Sequence, residues 1–166
     1  WESTVERISI LRNHGLLDRD TVSEFGFVSR LDSIQAVVLN IRLARLDQII
    51  ERRREIAAFY DTHLTNPRVT LPQITTGMFH SYHLYVVEVD NRESLKLELE
   101  RKGIQTKIHY PKLICDQPAY KAKYPSISNR LEKSRHQASR ILSIPIHQNL
   151  DEEQISFVIN QFNELA

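Results

Sequence analysis

The side chains able to do chemistry in this chain are seven histidines, one cysteine and a run of arginines. His80 and His83 are the closest pair of histidines. On an extended strand, positions three apart face opposite sides, so these two cannot share one metal ion. The chain has no His-Glu-x-x-His helix and no Cys/His pair at metal spacing, so no metal site is expected. Cys115 as a nucleophile would need a partner base and an activated thiolate. His109 is near in sequence, but the loop between them fixes nothing, and a buried or idle thiol is the plainer reading. No Gly-x-Ser-x-Gly elbow occurs, which argues against a serine hydrolase. Glycine is scarce, at four residues, and no glycine-rich phosphate loop is present. The run Glu51-Arg52-Arg53-Arg54-Glu55 reads as a solvated helix face. No aromatic residues interleave with its arginines, as a nucleic-acid surface would require.

The most informative cluster is His109-Tyr110-Pro111 with Gln117-Pro118-Ala119-Tyr120. A polar pair at the end of a strand, followed by a proline-stiffened loop with another tyrosine, builds a rigid pocket wall. Such a wall presents hydroxyl and imidazole groups to a polar ligand. Plain loop packing is the alternative.

The elements that must position this cluster are organised around Gly26 to Leu64. That stretch has no proline, and its only glycine is its first residue. Leu31, Ile34, Val38, Ile41, Leu46, Ile49, Ile56, Phe59 and Tyr60 recur at roughly helical intervals. Asp32 with Gln35 fits a capping box, and Ser29 is a rival N-cap. A helix from Leu31 to Leu64 would span about 50 Å. That is longer than a small domain is wide, so the helix is expected to leave one body and enter another. A single core helix kinked near Arg52 is the alternative.

Before it, residues 2–13 read as a helix capped at Gly15, and residues 16–28 as a loop. After it, Val69 to Leu71 is a possible short strand and Tyr82 to Val89 a clear one. Leu84 and Val86 point one way, Tyr85 and Val87 the other. Asp90 with Glu93 suggests a second capping box, and Gly103 a helix end. Ile104 to Tyr110 reads as another strand, with Ile104, Thr106, Ile108 and Tyr110 on one face and Gln105, Lys107 and His109 on the other. Pro111 to Pro125 reads as irregular. Asn129 with Glu132 would open a helix ending near Arg140. Ile141 to Ile146 is a short apolar run. The last helix starts at Asp151, capped with Gln154, and carries a stripe of Ile155, Val158, Ile159, Phe162 and Leu165. The expected architecture is α/β: a small sheet with helices on one face, over residues 66–166. Residues 1–25 would belong to a different body, joined by the connector at 26–65.

A length of 166 residues is enough for a core without staples. The net charge of +1 gives no reason to expect nucleic acid or an anionic membrane as a partner. A single cysteine excludes an intrachain disulfide and fits a reducing compartment such as the cytoplasm. No apolar run is long enough to span a bilayer, and no signal peptide is evident. The chain opens on Trp1, and its only methionine is Met78. It reads as a piece of something longer.

Seven pieces in order give the chain a resemblance. They are LRNHG (Leu11 to Gly15), GFVSRLDSIQAVVL (Gly26 to Leu39), RRREIAAFY (Arg52 to Tyr60), YHLYVV (Tyr82 to Val87), GIQTKIHYP (Gly103 to Pro111), QPAY (Gln117 to Tyr120) and LSIPIH (Leu142 to His147). Together they resemble the C-terminal part of the DegT/DnrJ/StrS family of sugar aminotransferases, which depend on pyridoxal phosphate. The resemblance implies the small C-terminal domain of a fold type I aminotransferase, with mostly antiparallel strands, preceded by a long connector helix. It implies a homodimer that moves an amino group, usually from glutamate, onto a nucleotide-linked keto sugar for polysaccharide biosynthesis. It assigns Ser29 and Arg30 to the cofactor, and Arg30, His109 and Tyr110 to the substrate.

The same resemblance places the Schiff-base lysine, and the carboxylate facing the pyridinium nitrogen, upstream of LRNHG. No lysine of this chain has that context, so the chain alone is expected to hold no cofactor, no catalytic residue and no activity. Val28 stands where the family has an asparagine that reaches the cofactor phosphate of the neighbouring subunit, and valine's side chain cannot donate. Cys115 stands where a second histidine is common, and Arg135 where glutamate is frequent. A degenerate, non-catalytic member serving as a binding or oligomerisation module is therefore the alternative function. A DNA-binding regulator has no recognition helix with a basic face to support it.

Overall fold

The structure is a computed structural model that describes residues 2–124 and 131–165. The chain divides into two units, one reaching to Leu46 and one starting at Asp47.

In the N-terminal unit, α1 (Glu2–Leu11) is amphipathic by sequence. It stops because the chain turns left-handed at His14 (φ 62°) and Gly15 (φ 77°), and the Gly15 N–H donates to Ile10 O at 2.9 Å. The chain then folds back on itself. Phe27 N–H donates to Leu11 O at 2.7 Å, His14 N–H to Phe27 O at 3.0 Å and Ser29 N–H to Arg12 O at 2.9 Å. Residues 16–28, expected to be a simple loop, are thus pinned to the end of α1, with antiparallel bridges Asn13–Val28 and Leu16–Val22.

The connector helix expected within Gly26 to Leu64 starts where the Asp32 cap places it, as α2 (Ser33–Leu43). Val28 and Ser29 have already committed their backbone to Asn13 and Arg12, which rules out Ser29 as the N-cap. Asp32 is the N-cap, and its N–H donates to Gln35 Oε1 at 3.1 Å in the expected capping box. The helix is also not continuous. At Ala44–Arg45 the ladder breaks, Arg45 N–H donating three residues back to Arg42 O at 3.1 Å. A new helix, α3 (Leu46–His63), follows, with no break at Arg52. No residue of α1 or α2 is buried. Ile34 is 75% exposed, and Val37, Val38 and Ile41 are also exposed.

The C-terminal unit is built on a three-stranded antiparallel sheet in the order β1 (Val69–Thr70), β2 (Tyr85–Val89), β3 (Ile141–Ile144). Tyr85 pairs with Ile144, Val87 with Leu142 and Val69 with Val89, and all six are buried on one face. Ile56, Tyr60, Leu95, Leu99, Ile155, Val158 and Phe162 complete that core. They come from α3, from α4 (Arg92–Arg101) and from α7 (Glu152–Leu165). The expected helix-covered α/β sheet is what forms, and α7 buries the stripe read from sequence. Its cap is reciprocal: Gln154 N–H donates to Asp151 Oδ1 at 2.8 Å and Asp151 N–H to Gln154 Oε1 at 3.2 Å.

Four local expectations fail for identifiable reasons. The strand expected from Tyr82 begins at Tyr85, because Tyr82 is left-handed (φ 46°). The Tyr82 and His83 carbonyls accept from Arg53 Nη1 instead of from a strand. The strand expected over Ile104 to Tyr110 is reduced to one bridge, Lys107–Ser143, on the outer edge of β3. The Asp90/Glu93 capping box does not form: Asp90 pairs with Arg140, Glu93 with Arg92, and a left-handed Asn91 is the N-cap of α4. Within Pro111 to Pro125 the chain is helical in part, with a 3₁₀ turn at Ile114–Asp116 and α5 (Pro118–Lys123), which places Pro118 in the first turn. The helix expected to open at Asn129 is α6 (Glu132–Arg140), and Asn129 itself lies outside the described residues. Gly103 ends α4 as expected, with φ 83° and the Ile104 N–H donating to Leu99 O at 2.8 Å.

Candidate functional site

The arginine run is not the solvated face its spacing implied. Arg52 Nη2 donates to Leu150 O at 3.1 Å. Arg53 Nη1 donates to Tyr82 O at 2.9 Å and His83 O at 3.0 Å. Arg54 Nη1 donates to His80 O at 3.1 Å, and its guanidinium lies 4.7 Å from the Phe79 ring centroid. Burial pulls the Arg53 guanidinium below its ordinary value. Three successive helical arginines thus hold two loops, at 80–83 and 150, by their carbonyls.

Those loops border a cleft of about 680 Å³ whose wall includes His83, Gln105, Lys107, His109, Ser143 and His147. The alternation read from sequence explains who faces it. Thr106 is buried and Ile108 half-buried away from the cleft, Gln105, Lys107 and His109 line it, and the buried Ile104 also touches its wall at the start of the segment. The Lys107–Ser143 bridge makes the next residue on the same face, His109, a diagonal neighbour of Ser143. His109 Nδ1 lies 2.9 Å from Ser143 Oγ. The cleft also has an apolar side, from Leu84, Ile146, Leu150 and Phe157. A half-apolar concavity with a few convergent polar groups is what a polar organic ligand needs.

The other expected site residues fall elsewhere. Tyr110 follows His109 with its ring perpendicular at 5.6 Å, but it is 73% exposed and forms no part of the cleft wall. Ser29 and Arg30 belong to the N-terminal unit. The Ser29 carbonyl accepts from Arg12 Nε at 2.8 Å, so the backbone beside Arg30 is anchored at both its N–H and its C=O. Arg30 is exposed. Cys115 is buried, as the plain reading of the thiol held. His80 and His83 lie before β2 and not on it, and His80 Nδ1 accepts from the Tyr82 N–H at 3.1 Å. Among the described residues no cluster of His, Cys, Asp or Glu has the geometry to hold a metal ion.

Ser143, Lys107, His83 and His147 carried no role in the sequence reading. Lys107 could have been found from the strand face it shares with His109. Ser143 could not, since its pairing with Lys107 joins segments 36 positions apart.

The profile of the DegT/DnrJ/EryC1/StrS aminotransferase family matches residues 2–163, and the chain belongs to that family. It is 38% identical over 158 residues to a dTDP-3-amino-3,6-dideoxy-alpha-D-galactopyranose transaminase of Aneurinibacillus thermoaerophilus, covering 95% of this chain and 43% of that protein. It is 36% identical to a dTDP-3-amino-3,4,6-trideoxy-alpha-D-glucose transaminase of Streptomyces venezuelae, covering 97% of this chain and 42% of that one. Among solved structures, S. venezuelae DesV superposes with a TM-score of 0.86 at 34% identity, over 96% of this chain and 43% of DesV. The chain therefore spans less than half the length of the relatives it matches.

Proposed function

We propose that this chain is the C-terminal part of a pyridoxal-phosphate-dependent aminotransferase that moves an amino group from glutamate to a nucleotide-linked keto sugar. Residues 1–25 would be the edge of the cofactor-bearing domain, 26–65 the connector and 66–166 the small domain that closes over the substrate. The observation that carries this reading is the family match along nearly the whole chain, with the HYP segment setting His109 on the wall of a cleft.

The residues present fit one part of the cofactor. Arg30 is an exposed cation on backbone fixed from both sides, which suits a phosphate group, with Ser29 beside it. Val28 is 70% exposed and offers that phosphate no side-chain donor. When bound, pyridoxal phosphate supplies the electron sink for amino transfer. This chain's part is to bind and orient: Arg30 neutralises an anionic group, His109 offers a ring N–H to the sugar from the cleft wall, Tyr110 offers its exposed hydroxyl from outside that wall, and Lys107 adds positive charge to the cleft. The intact protein would work as a cytoplasmic homodimer. The chain alone would not transaminate and would bind little cofactor.

The test is amino transfer by the natural gene product, supplied with pyridoxal phosphate, glutamate and dTDP-linked keto sugars. Replacing His109 by Ala should cut turnover of the sugar more than reaction with glutamate. Val28 and Cys115 favour a second reading, a non-catalytic module. A natural gene product that folds, binds a nucleotide sugar and leaves its amino groups untouched would establish it.

A further inference from the structure

We infer that Ser143 is a positioning residue that fixes the tautomer of His109, so that its imidazole presents Nε2–H to the cleft as a hydrogen-bond donor toward a ligand oxygen. The functional half of this inference rests on the reading of the cleft as a substrate site.

Ser143 is nearly fully buried in the middle of the assembled sheet. Its backbone is entirely used. Its N–H donates to Lys107 O at 2.7 Å, its C=O accepts from Lys107 N–H at 3.1 Å, and it pairs with Val86 on the other side. Its hydroxyl has a single hydrogen-bond partner among the described residues, His109 Nδ1. A buried hydroxyl proton without an acceptor costs about 1–3 kcal/mol. The hydroxyl therefore donates, and Nδ1 accepts with its lone pair. A neutral imidazole that accepts at Nδ1 carries its proton on Nε2. Nε2 has no hydrogen-bond partner among the described residues, on a ring that lines the cleft beside Lys107 and Gln105.

The reverse polarity would leave the Ser143 proton with no acceptor among the described residues. Ser143 thus selects one of the two neutral tautomers of His109, and selects it through sheet register. The Lys107–Ser143 bridge holds the two side chains as diagonal neighbours, so a one-residue slip of the Lys107 segment would turn His109 to the face opposite Ser143.

The test is nitrogen-15 NMR of the full chain labelled at histidine, with the His109 signals assigned by His109→Gln. In the unsubstituted chain Nδ1 should resonate as an unprotonated acceptor and Nε2 as the protonated nitrogen. In Ser143→Ala both should move toward the average of the two tautomers, and Ser143→Thr, which keeps the hydroxyl, should restore the original positions. The amide signals of Val86 and Lys107 report that the sheet is intact in each variant. A protonated Nδ1 in the unsubstituted chain, or His109 signals unchanged in a folded Ser143→Ala, would overturn the assignment. No substrate enters this measurement, so its result stands apart from that of the aminotransferase reading. In the active gene product, Ser143→Ala should raise KM for the keto sugar about five- to tenfold, the loss of one oriented hydrogen bond, and leave KM for glutamate unchanged. Equal changes in both would reduce Ser143 to a packing residue.

Discussion

The Tyr85 hydroxyl donates to Asp61 Oδ1 at 2.5 Å, tying the first residue of β2 to the last turns of α3. Tyr60, one residue before Asp61, donates to Pro145 O at 2.8 Å, and its ring meets that of Tyr85 edge-on at 5.1 Å. Two tyrosines thus join the helix, the central strand and the segment leaving β3.

Burial raises both hydroxyls well above the ordinary tyrosine range, and for Tyr85 the bond to Asp61 adds to it. A pKa raised in the folded state stabilises the fold fully below the unfolded value of about 10 and loses that stability as pH climbs past it. Urea midpoints should be level from neutral pH to about pH 9 and then fall, by up to about 1.4 kcal/mol per pH unit for each tyrosine. Tyr85→Phe should cost about 1–2 kcal/mol at neutral pH and flatten the alkaline fall. An unchanged alkaline slope in that variant would show that Tyr85 is not one of the groups held protonated.

Gly15 and Gly26 meet backbone to backbone. A Cβ on Gly26 would lie 2.2 Å from Gly15 N, and one on Gly15 would lie 1.7 Å from Glu24 O. Gly26→Ala should therefore break the ties of Phe27 to Leu11 and of His14 to Phe27, and speed amide exchange at those positions at least tenfold. Exchange in β2 and β3 should not change. Protection retained at Phe27 would contradict the close approach.

Arg53→Lys keeps the charge and withdraws the rigid, planar Nη1 that donates to the Tyr82 and His83 carbonyls together. The expected cost is about 2 kcal/mol, read from denaturant midpoints, with the signals of His83 broadened or shifted. Arg19→Lys, on an exposed arginine, is the control and should cost nothing measurable.

The large apolar side chains of α2 are exposed among the described residues. Ile34, Val38 and Ile41 recur at helical spacing and are all exposed. The 166-residue chain should self-associate, and Ile34→Glu with Val38→Lys should return it toward monomer in sedimentation. A monodisperse monomer of the unsubstituted chain at high concentration would count against this.

Local signals with local causes were legible in the sequence. The Asp32/Gln35 and Asp151/Gln154 caps, the Gly103 stop and the α7 stripe each depend on residues within a few positions, and each is found. Three features were not legible, two of them because they depended on distant partners. The arginine run looked solvated because its acceptors, the carbonyls of His80, Tyr82, His83 and Leu150, are invisible to helical spacing. Asp90 looked like a cap because nothing nearby in sequence announces Arg140, 50 positions on. The long helix looked continuous because nothing in its apolar spacing, proline-free and glycine-free, announces the break at Ala44–Arg45. For the site, strand alternation brought His109 and Lys107 to one face, and cross-strand pairing alone could supply Ser143.

The most direct test of the central claim is transfer of nitrogen-15 from labelled glutamate to a dTDP-linked keto sugar in the presence of pyridoxal phosphate. The natural gene product should label the sugar, its His109→Ala variant should do so at least tenfold more slowly, and the 166-residue chain should not label it at all. Label appearing with the chain alone would contradict its role as a closing part without its own catalytic lysine. No label from the natural gene product across the keto sugars would contradict the aminotransferase reading itself.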